Sequence, residues 1–159
     1  MSATLKIRPL EEVARMVEAR RARGHQVVLA NGVFELLHVG HVRYLEAARA
    51  LGDLLVVAVN DDASARALKG EGRPVVPAAE RAEVVAALWC VDLVLVFADP
   101  DVRGILRALR PHLHVKGTDY TPETVPERDV ALEVGARVVV AGDPKDHAVS
   151  DLLRRIRGP

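Results

Sequence analysis

Short, nearly uninterrupted runs of Val, Leu and Ala alternate along this chain with longer amphipathic segments, and glycine or proline stands at most of the junctions. Runs without polar alternation read as strands covered on both faces, which is the signature of a parallel sheet. The two observations together predict an α/β fold. It is a doubly wound, Rossmann-like sheet of five parallel strands in the order 3-2-1-4-5.

The elements follow in order. A helix over 9–23 closes at Gly24, and its end carries Arg20, Arg21 and Arg23, read as a solvated face. The first strand, 27–30, is broken by Asn31-Gly32, and a helix over 41–51 stops at Gly52. The second strand spans 54–59, followed by helices over 61–68 and 79–90. The third strand, 93–97, leads to a helix over 100–110 that ends at Pro111. The fourth strand, 113–115, precedes a helix over 126–134 closed by Gly135, then the fifth strand, 137–141, and a last helix over 150–157. Trp89 and Phe97 fall at helical and strand core positions and are assigned to packing. The chain is read as one domain, 1–159, with its Rossmann-like core over 25–141.

Composition narrows the class. At 159 residues one domain buries roughly 70% of its unfolded surface. Half the residues are hydrophobic but only 3% are aromatic, so the core must be aliphatic. The 22 basic and 22 acidic residues balance, which argues against a nucleic-acid partner. Cys90 is the lone cysteine, which excludes an intrachain disulfide and fits a reducing cytoplasm. No apolar stretch suits a signal peptide or a membrane span. Arginine outnumbers lysine 18 to 4, yet Lys69 and Lys116 each precede a glycine at the edge of an apolar segment, where a compact ammonium suits the chemistry.

Residues 31–41, NGVFELLHVGH, carry the clearest chemical signal. A strand ends at glycine, and His38 and His41 flank Gly40 at a helix start. Glycine lets backbone approach a phosphate, a helix N-terminus faces anions, and imidazoles donate to phosphate oxygens. Ligands of such sheets sit beyond the strand carboxyl ends at the switch in strand order, here between strands one and four. That grouping places Lys116, at the end of strand four, in one crevice with His38 and His41. A zinc site is the rival reading, but a structural site needs four ligands, and Cys90, His112 and His114 lie near other strands without CxxC or HExxH spacing.

NGVFELLHVGH resembles the His-x-Gly-His signature of the nucleotidyltransferase superfamily, shared with class I aminoacyl-tRNA synthetases. The continuation AVNDDASARALKGEGRPVVPAAERAEVVAAL (58–88), VDLVLVF (91–97) and VKGTDYTPETV (115–125) is similar to the adenylyltransferase domain of ADP-heptose synthases. The similarity runs from about residue 5 to 157. LKG-x-x-RP and VKG-x-DY are its more specific pieces.

The resemblance implies transfer of AMP from ATP to a sugar 1-phosphate, D-glycero-β-D-manno-heptose 1-phosphate foremost, with pyrophosphate released. It implies His38, His41 and Lys116 as catalytic residues. Asn31, Gly32, Val33, Phe34, Gly40, Asn60, Gly117, Asp119 and Ser150 would bind the nucleotide. Glu35, Asp61, Lys69, Arg73, Arg81 and Tyr120 would bind the acceptor. Magnesium would ride on the nucleotide phosphates, with no dedicated protein ligands. The partners implied are a nucleoside triphosphate and a small phosphorylated acceptor, without nucleic acid or membrane; an exposed edge strand admits a homodimer. Structural readings compete at Arg73 (a loop cation), Arg81 (paired with Glu80 or Glu83) and Asp119 (a local turn).

Four positions depart from the family pattern. Glu35 stands for aspartate, a change of one methylene, and displacements of about 1 Å can cost ~100-fold in rate. Thr118 stands for a second glycine. Ala148-Val149-Ser150 replaces Ser-Thr-Thr, leaving Ser150 as the expected N-cap, and Val125-Pro126-Glu127 lacks a glycine. Alternative readings are a cytidylyltransferase acting on glycerol 3-phosphate or another small phosphate, and a nucleotide-binding domain without catalysis. A tRNA synthetase fragment is disfavoured by the absence of a KMSKS-like loop, a tRNA-binding extension and net positive charge.

Overall fold

Parallel pairing of five short strands organises the chain. The computed structural model describes residues 2–144 and 148–159. A 3-10 turn at Ala3–Lys6 leads into α1 (Leu10–Ala22), β1 (Val27–Gly32), α2 (Val39–Arg49), β2 (Leu54–Asn60), α3 (Asp62–Lys69) and α4 (Ala78–Ala86). The second half is β3 (Leu93–Phe97), α5 (Arg103–Leu109), β4 (Leu113–Lys116), α6 (Arg128–Glu133), β5 (Arg137–Val140) and α7 (Val149–Arg157). The strand order is β3-β2-β1-β4-β5, all parallel, as the sequence predicts.

Strand alternation sorts the core into two aliphatic layers. Val27 and Leu29 of β1, with Leu54, Val56 and Ala58 of β2, face α1, α5 and α6. Val28, Ala30, Leu55, Val57 and Val59 face α2 and α4, joined there by Leu113 and Val115 of β4. Gly52 is required where α2 turns into β2, because a Cβ would lie 2.6 Å from Val28 Cγ2 and 2.8 Å from the Gln26 carbonyl.

Three local expectations change. β1 still stops at Gly32 but runs two residues beyond its apolar run, since Asn31 and Gly32 pair in register with Ala58 and Val59 of β2. Helix α4 ends at Ala86, so the periodicity that put Trp89 in the core lapses before reaching it. Trp89 is 76% exposed, its indole N–H donating to Glu46 at 3.0 Å. Phe97 is buried as expected. The β3 edge is partly covered, because Ile7 bridges Val94 and the Arg8 N–H donates to the Val94 carbonyl. Among the described residues no helix is long and apolar enough to cross a membrane.

Candidate functional site

The turn from β1 into α2 is built around Gly32 and Phe34. Phe34 has φ of 50°, a left-handed conformation, and its ring folds back to within 3.1 Å of where a Cβ on Gly32 would stand. The buried ring meets His41 edge-on, with centroids 5.3 Å apart. His38 is extended and caps α2, its Nδ1 accepting the Gly40 N–H at 3.1 Å. His41 returns the contact, Nδ1 accepting the His38 N–H at 3.3 Å. The two rings stack with centroids 3.9 Å apart and planes 27° from parallel.

This reciprocal cap fixes the orientation of both rings at the start of α2. Burial, aided by the charges of His38 and Lys69, pulls the His41 pKa down to about 4, so this ring is a neutral donor at pH 7.

Both imidazoles line an open pocket of about 230 Å³ at the carboxyl end of the sheet. Lys69, the last residue of α3, and Arg73, from the α3–α4 connection, contribute to its wall, as do Gly117, Thr118 and Asp119 after β4. Gly142 and Asp143 after β5, and Ala148, Val149 and Ser150 at the start of α7, complete it. Gly142 has φ of 102° and would place a Cβ 3.3 Å from the Tyr44 Cα, so a side chain there would be strained by the backbone and crowded against α2. Tyr44 lines the pocket and ties α2 to the switch-point strand, its buried hydroxyl donating to the Val115 carbonyl at 2.6 Å.

Of the residues expected at the site, His38, Gly40, His41, Lys69, Arg73, Gly117, Asp119 and Ser150 converge on this pocket. The others support it or stand apart. Val33 and Phe34 are buried apolar residues beneath the turn. The Asn31 Oδ1 lies 3.0 Å from His114 Nε2. Asn60 Nδ2 donates to Ser64 Oγ at 3.2 Å, and Asp61 caps α3 by accepting the Ser64 N–H at 2.8 Å. Glu35 is 2% exposed and is held by Arg73 and the Val75 N–H. Its carboxyl is pushed up by burial but held below its usual range by those donors and by the Arg73 and Lys69 charges.

Arg81 does not clamp an acceptor, and it does not pair with Glu80 or Glu83. It is 1% exposed and donates to the carbonyls of Val33, Asn60 and Val76 and to Asp62. It is a strut tying α4 to the ends of β1 and β2. Ser150 does not cap α7 either: the helix starts one residue earlier, with Ala148 as N-cap.

Lys116 is not among the residues that line this pocket. It alternates with Leu113 and Val115, which face α2, so it shares the opposite face with His114. Its ammonium lies over the Tyr120 ring, 4.9 Å from the centroid. Burial lowers its pKa, while the charges of Glu127 and Asp119 act in the other direction. Thr118, in place of the expected glycine, uses its hydroxyl to bind the Asp143 carbonyl at 2.7 Å and so joins two pocket loops.

Sequence reasoning missed Tyr44, Gly142 and Asp143. The last two follow β5, the edge strand beside β4, at the same carboxyl end of the sheet where such folds bind ligands. It also left His114 without a role. This ring is fully buried, its pKa pushed down to about 3 by burial and by Lys116, and its Nδ1 has no partner among the described residues.

The cytidylyltransferase-like family matches residues 29–150, which contains all these site residues. The chain is 48% identical over 151 residues to the bifunctional protein HldE of Trichlorobacter lovleyi. It is 45% identical over 152 residues to the HldE of Geotalea uraniireducens. These matches cover 95% and 96% of this chain but 31% of each relative, so the chain spans about a third of their length. A solved relative is the lipopolysaccharide core biosynthesis protein of Thermoplasma volcanium, with a TM-score of 0.66 and 26% identity, covering 77% of this chain and all of that one. With the sheet order, the paired imidazoles at the switch point and a family match over most of its length, the chain belongs to the cytidylyltransferase-like family of nucleotidyltransferase-type folds.

Proposed function

We propose that the chain transfers the adenylyl group of ATP to a sugar 1-phosphate, D-glycero-β-D-manno-heptose 1-phosphate foremost, releasing pyrophosphate. The observation that carries this reading is the reciprocal His38–His41 cap, which sets two stacked imidazoles at a pocket that also holds Lys69 and Arg73. The more specific LKG-x-x-RP and VKG-x-DY strings support the heptose acceptor.

In this mechanism an oxygen of the acceptor phosphate attacks the α-phosphorus of ATP in line. The bond from that phosphorus to the bridging oxygen breaks, and pyrophosphate departs with the electron pair. No protein nucleophile is required, so the protein supplies position and charge neutralisation. His38 and His41 donate to the triphosphate as negative charge builds on its oxygens. A neutral donor suits this role, because it needs no proton from solvent and stays competent across neutral pH. Lys69 and Arg73 attract and orient the acceptor phosphate. Asp119, Gly117 and Ser150 contact the nucleoside side of the pocket, and Lys116 keeps the Asp119–Tyr120 turn in place. Magnesium would be carried by the nucleotide phosphates and would neutralise part of their charge.

A pyrophosphate-release assay with ATP, CTP, GTP and UTP against several sugar and polyol phosphates tests the reading. Turnover confined to ATP with the heptose 1-phosphate is the expected result. Turnover with CTP and glycerol 3-phosphate would replace it with the cytidylyl reading. ATP binding by calorimetry without release on any acceptor would replace it with a binding domain. Sedimentation at assay concentration tests a second copy of the chain, which we place at the β5 edge.

A further inference from the structure

Glu35 replaces the aspartate of the family pattern, and the structure shows what the longer side chain reaches. Its Oε1 accepts the Arg73 Nε–H at 2.9 Å and the Val75 N–H at 2.9 Å. Its Oε2 accepts the same Nε–H at 2.7 Å and also an Arg73 Nη2–H. All these donors belong to the segment joining α3 to α4, while Glu35 itself sits 2% exposed beneath the start of α2. The carboxylate therefore pins that connection to the body of the site.

The pinning uses only one edge of the guanidinium. Of its five N–H groups, the Nε–H and one Nη2–H point at Glu35. The remaining Nη2 hydrogen and one Nη1 hydrogen form the end-on edge, while the second Nη1 hydrogen points back toward Cδ, and no acceptor among the described residues takes them. Arg73 lines the pocket that also holds Lys69, His38 and His41. A planar cation held along its side, with its end unspent at a pocket wall, is preorganised for two parallel hydrogen bonds to a phosphate. The Glu35–Arg73 pair has no net charge, so the fork contributes direction and Lys69 contributes the unbalanced positive charge.

We propose that Glu35 is a positioning residue that acts through Arg73, fixing one edge of the guanidinium so that the other binds the phosphate of the incoming acceptor. This rests on the function proposed above. It assigns Glu35 no contact with the acceptor, in contrast to the expectation from sequence.

Steady-state kinetics with Glu35→Gln, Arg73→Ala, Arg73→Lys and the Glu35→Gln/Arg73→Ala double variant test it. Glu35→Gln is expected to raise the acceptor KM on the order of tenfold, the scale of one lost charge-assisted bond, and to leave the ATP KM unchanged. Arg73→Lys should behave like Arg73→Ala, because an ammonium has no second edge to present. In the Arg73→Ala background, Glu35→Gln should add nothing further to the acceptor KM.

A fall in acceptor KM for Glu35→Gln would overturn the proposal, because it would make Glu35 a competitor for Arg73. Additive effects in the double variant would overturn it too. Two readouts stand apart from turnover: faster amide exchange at Val75 in Glu35→Gln, and weaker binding of inorganic phosphate by calorimetry in both single-site losses. Wild-type inactivity on every acceptor defeats the function proposed above. Unchanged phosphate affinity in Glu35→Gln defeats this inference alone. Should Glu35→Gln fail to fold, Arg73→Lys carries the phosphate test.

Discussion

Replacing His41 by alanine separates the chemistry of the imidazole from its place in the fold. At about pH 7.5 the variant loses the contact with the His38 N–H and the ring packing against His38 and Phe34. A lost cap and a lost aromatic contact together cost roughly 1–2 kcal/mol. Acid reverses the comparison. The wild-type ring has a pKa of about 4 when folded, against 6.5 for the unfolded chain. As pH falls through 6.5 the unfolded chain takes up a proton that the folded protein refuses, so wild-type stability is lost between 6.5 and about 4. The full gap corresponds to about 3 kcal/mol, and about 2.5 kcal/mol of it is lost by pH 4.5. Alanine has no such penalty. Urea unfolding of both proteins should therefore show wild type the more stable at pH 7.5 and the variant the more stable at pH 4.5, with a crossing between about pH 5 and 6. Turnover of the variant should fall ~100-fold or more at neutral pH, the scale of one lost donor to a charged transition state. A stability gap that stays constant or widens into acid would refute the buried neutral ring. Turnover within twofold of wild type would refute its phosphate role.

Three further outcomes are expected. Tyr44→Phe removes the bond from α2 to the Val115 carbonyl and should lower stability by about 1–2 kcal/mol in chemical denaturation; an unchanged midpoint would mean that this link is not holding the switch point together. Arg81→Met leaves the carbonyls of Val33, Asn60 and Val76 without their shared donor and should cost about 3 kcal/mol, seen as a lowered Tm. Trp89→Ala, at an exposed position, should change stability by less than about 0.5 kcal/mol in the same melt.

Much of the architecture was legible because it depends on residues close together in sequence. Uninterrupted apolar runs marked buried parallel strands, and right-handed crossovers then left few orders for them. The placement of His38 and His41 together at a helix start was legible for the same reason, since they lie within one turn, although their capping of each other came only with the fold. Boundaries were less so. Val27–Gly32 outlasts its apolar residues because backbone pairing with β2 continues through Asn31 and Gly32, where side-chain chemistry reads as a stop. Trp89 was misassigned because α4 ends at Ala86, short of the pattern that carried it inward.

The cations show where one dimension runs out. Arg73 and Arg81 both stand near the same apolar segments and both suited an acceptor clamp. Only the folded chain distinguishes them: Arg81 is surrounded by carbonyls that consume its donors, whereas Arg73 is held along one edge at a pocket wall. Lys116 was placed with the imidazoles because it ends the neighbouring strand, but strand parity turns it to the other face.

By itself the sequence determined the α/β class, the aliphatic core and the tandem imidazoles at a helix start, because periodicity and local spacing need only near neighbours, and the strand order followed from the usual order of that class. Tertiary structure alone decided which charged groups face the pocket and which are spent inside the protein. That division depends on carbonyls and carboxylates brought together from distant segments, and on which face of a strand each residue occupies. Glu35 meets Arg73 across 38 positions of chain, and Arg81 meets Val33 across 48.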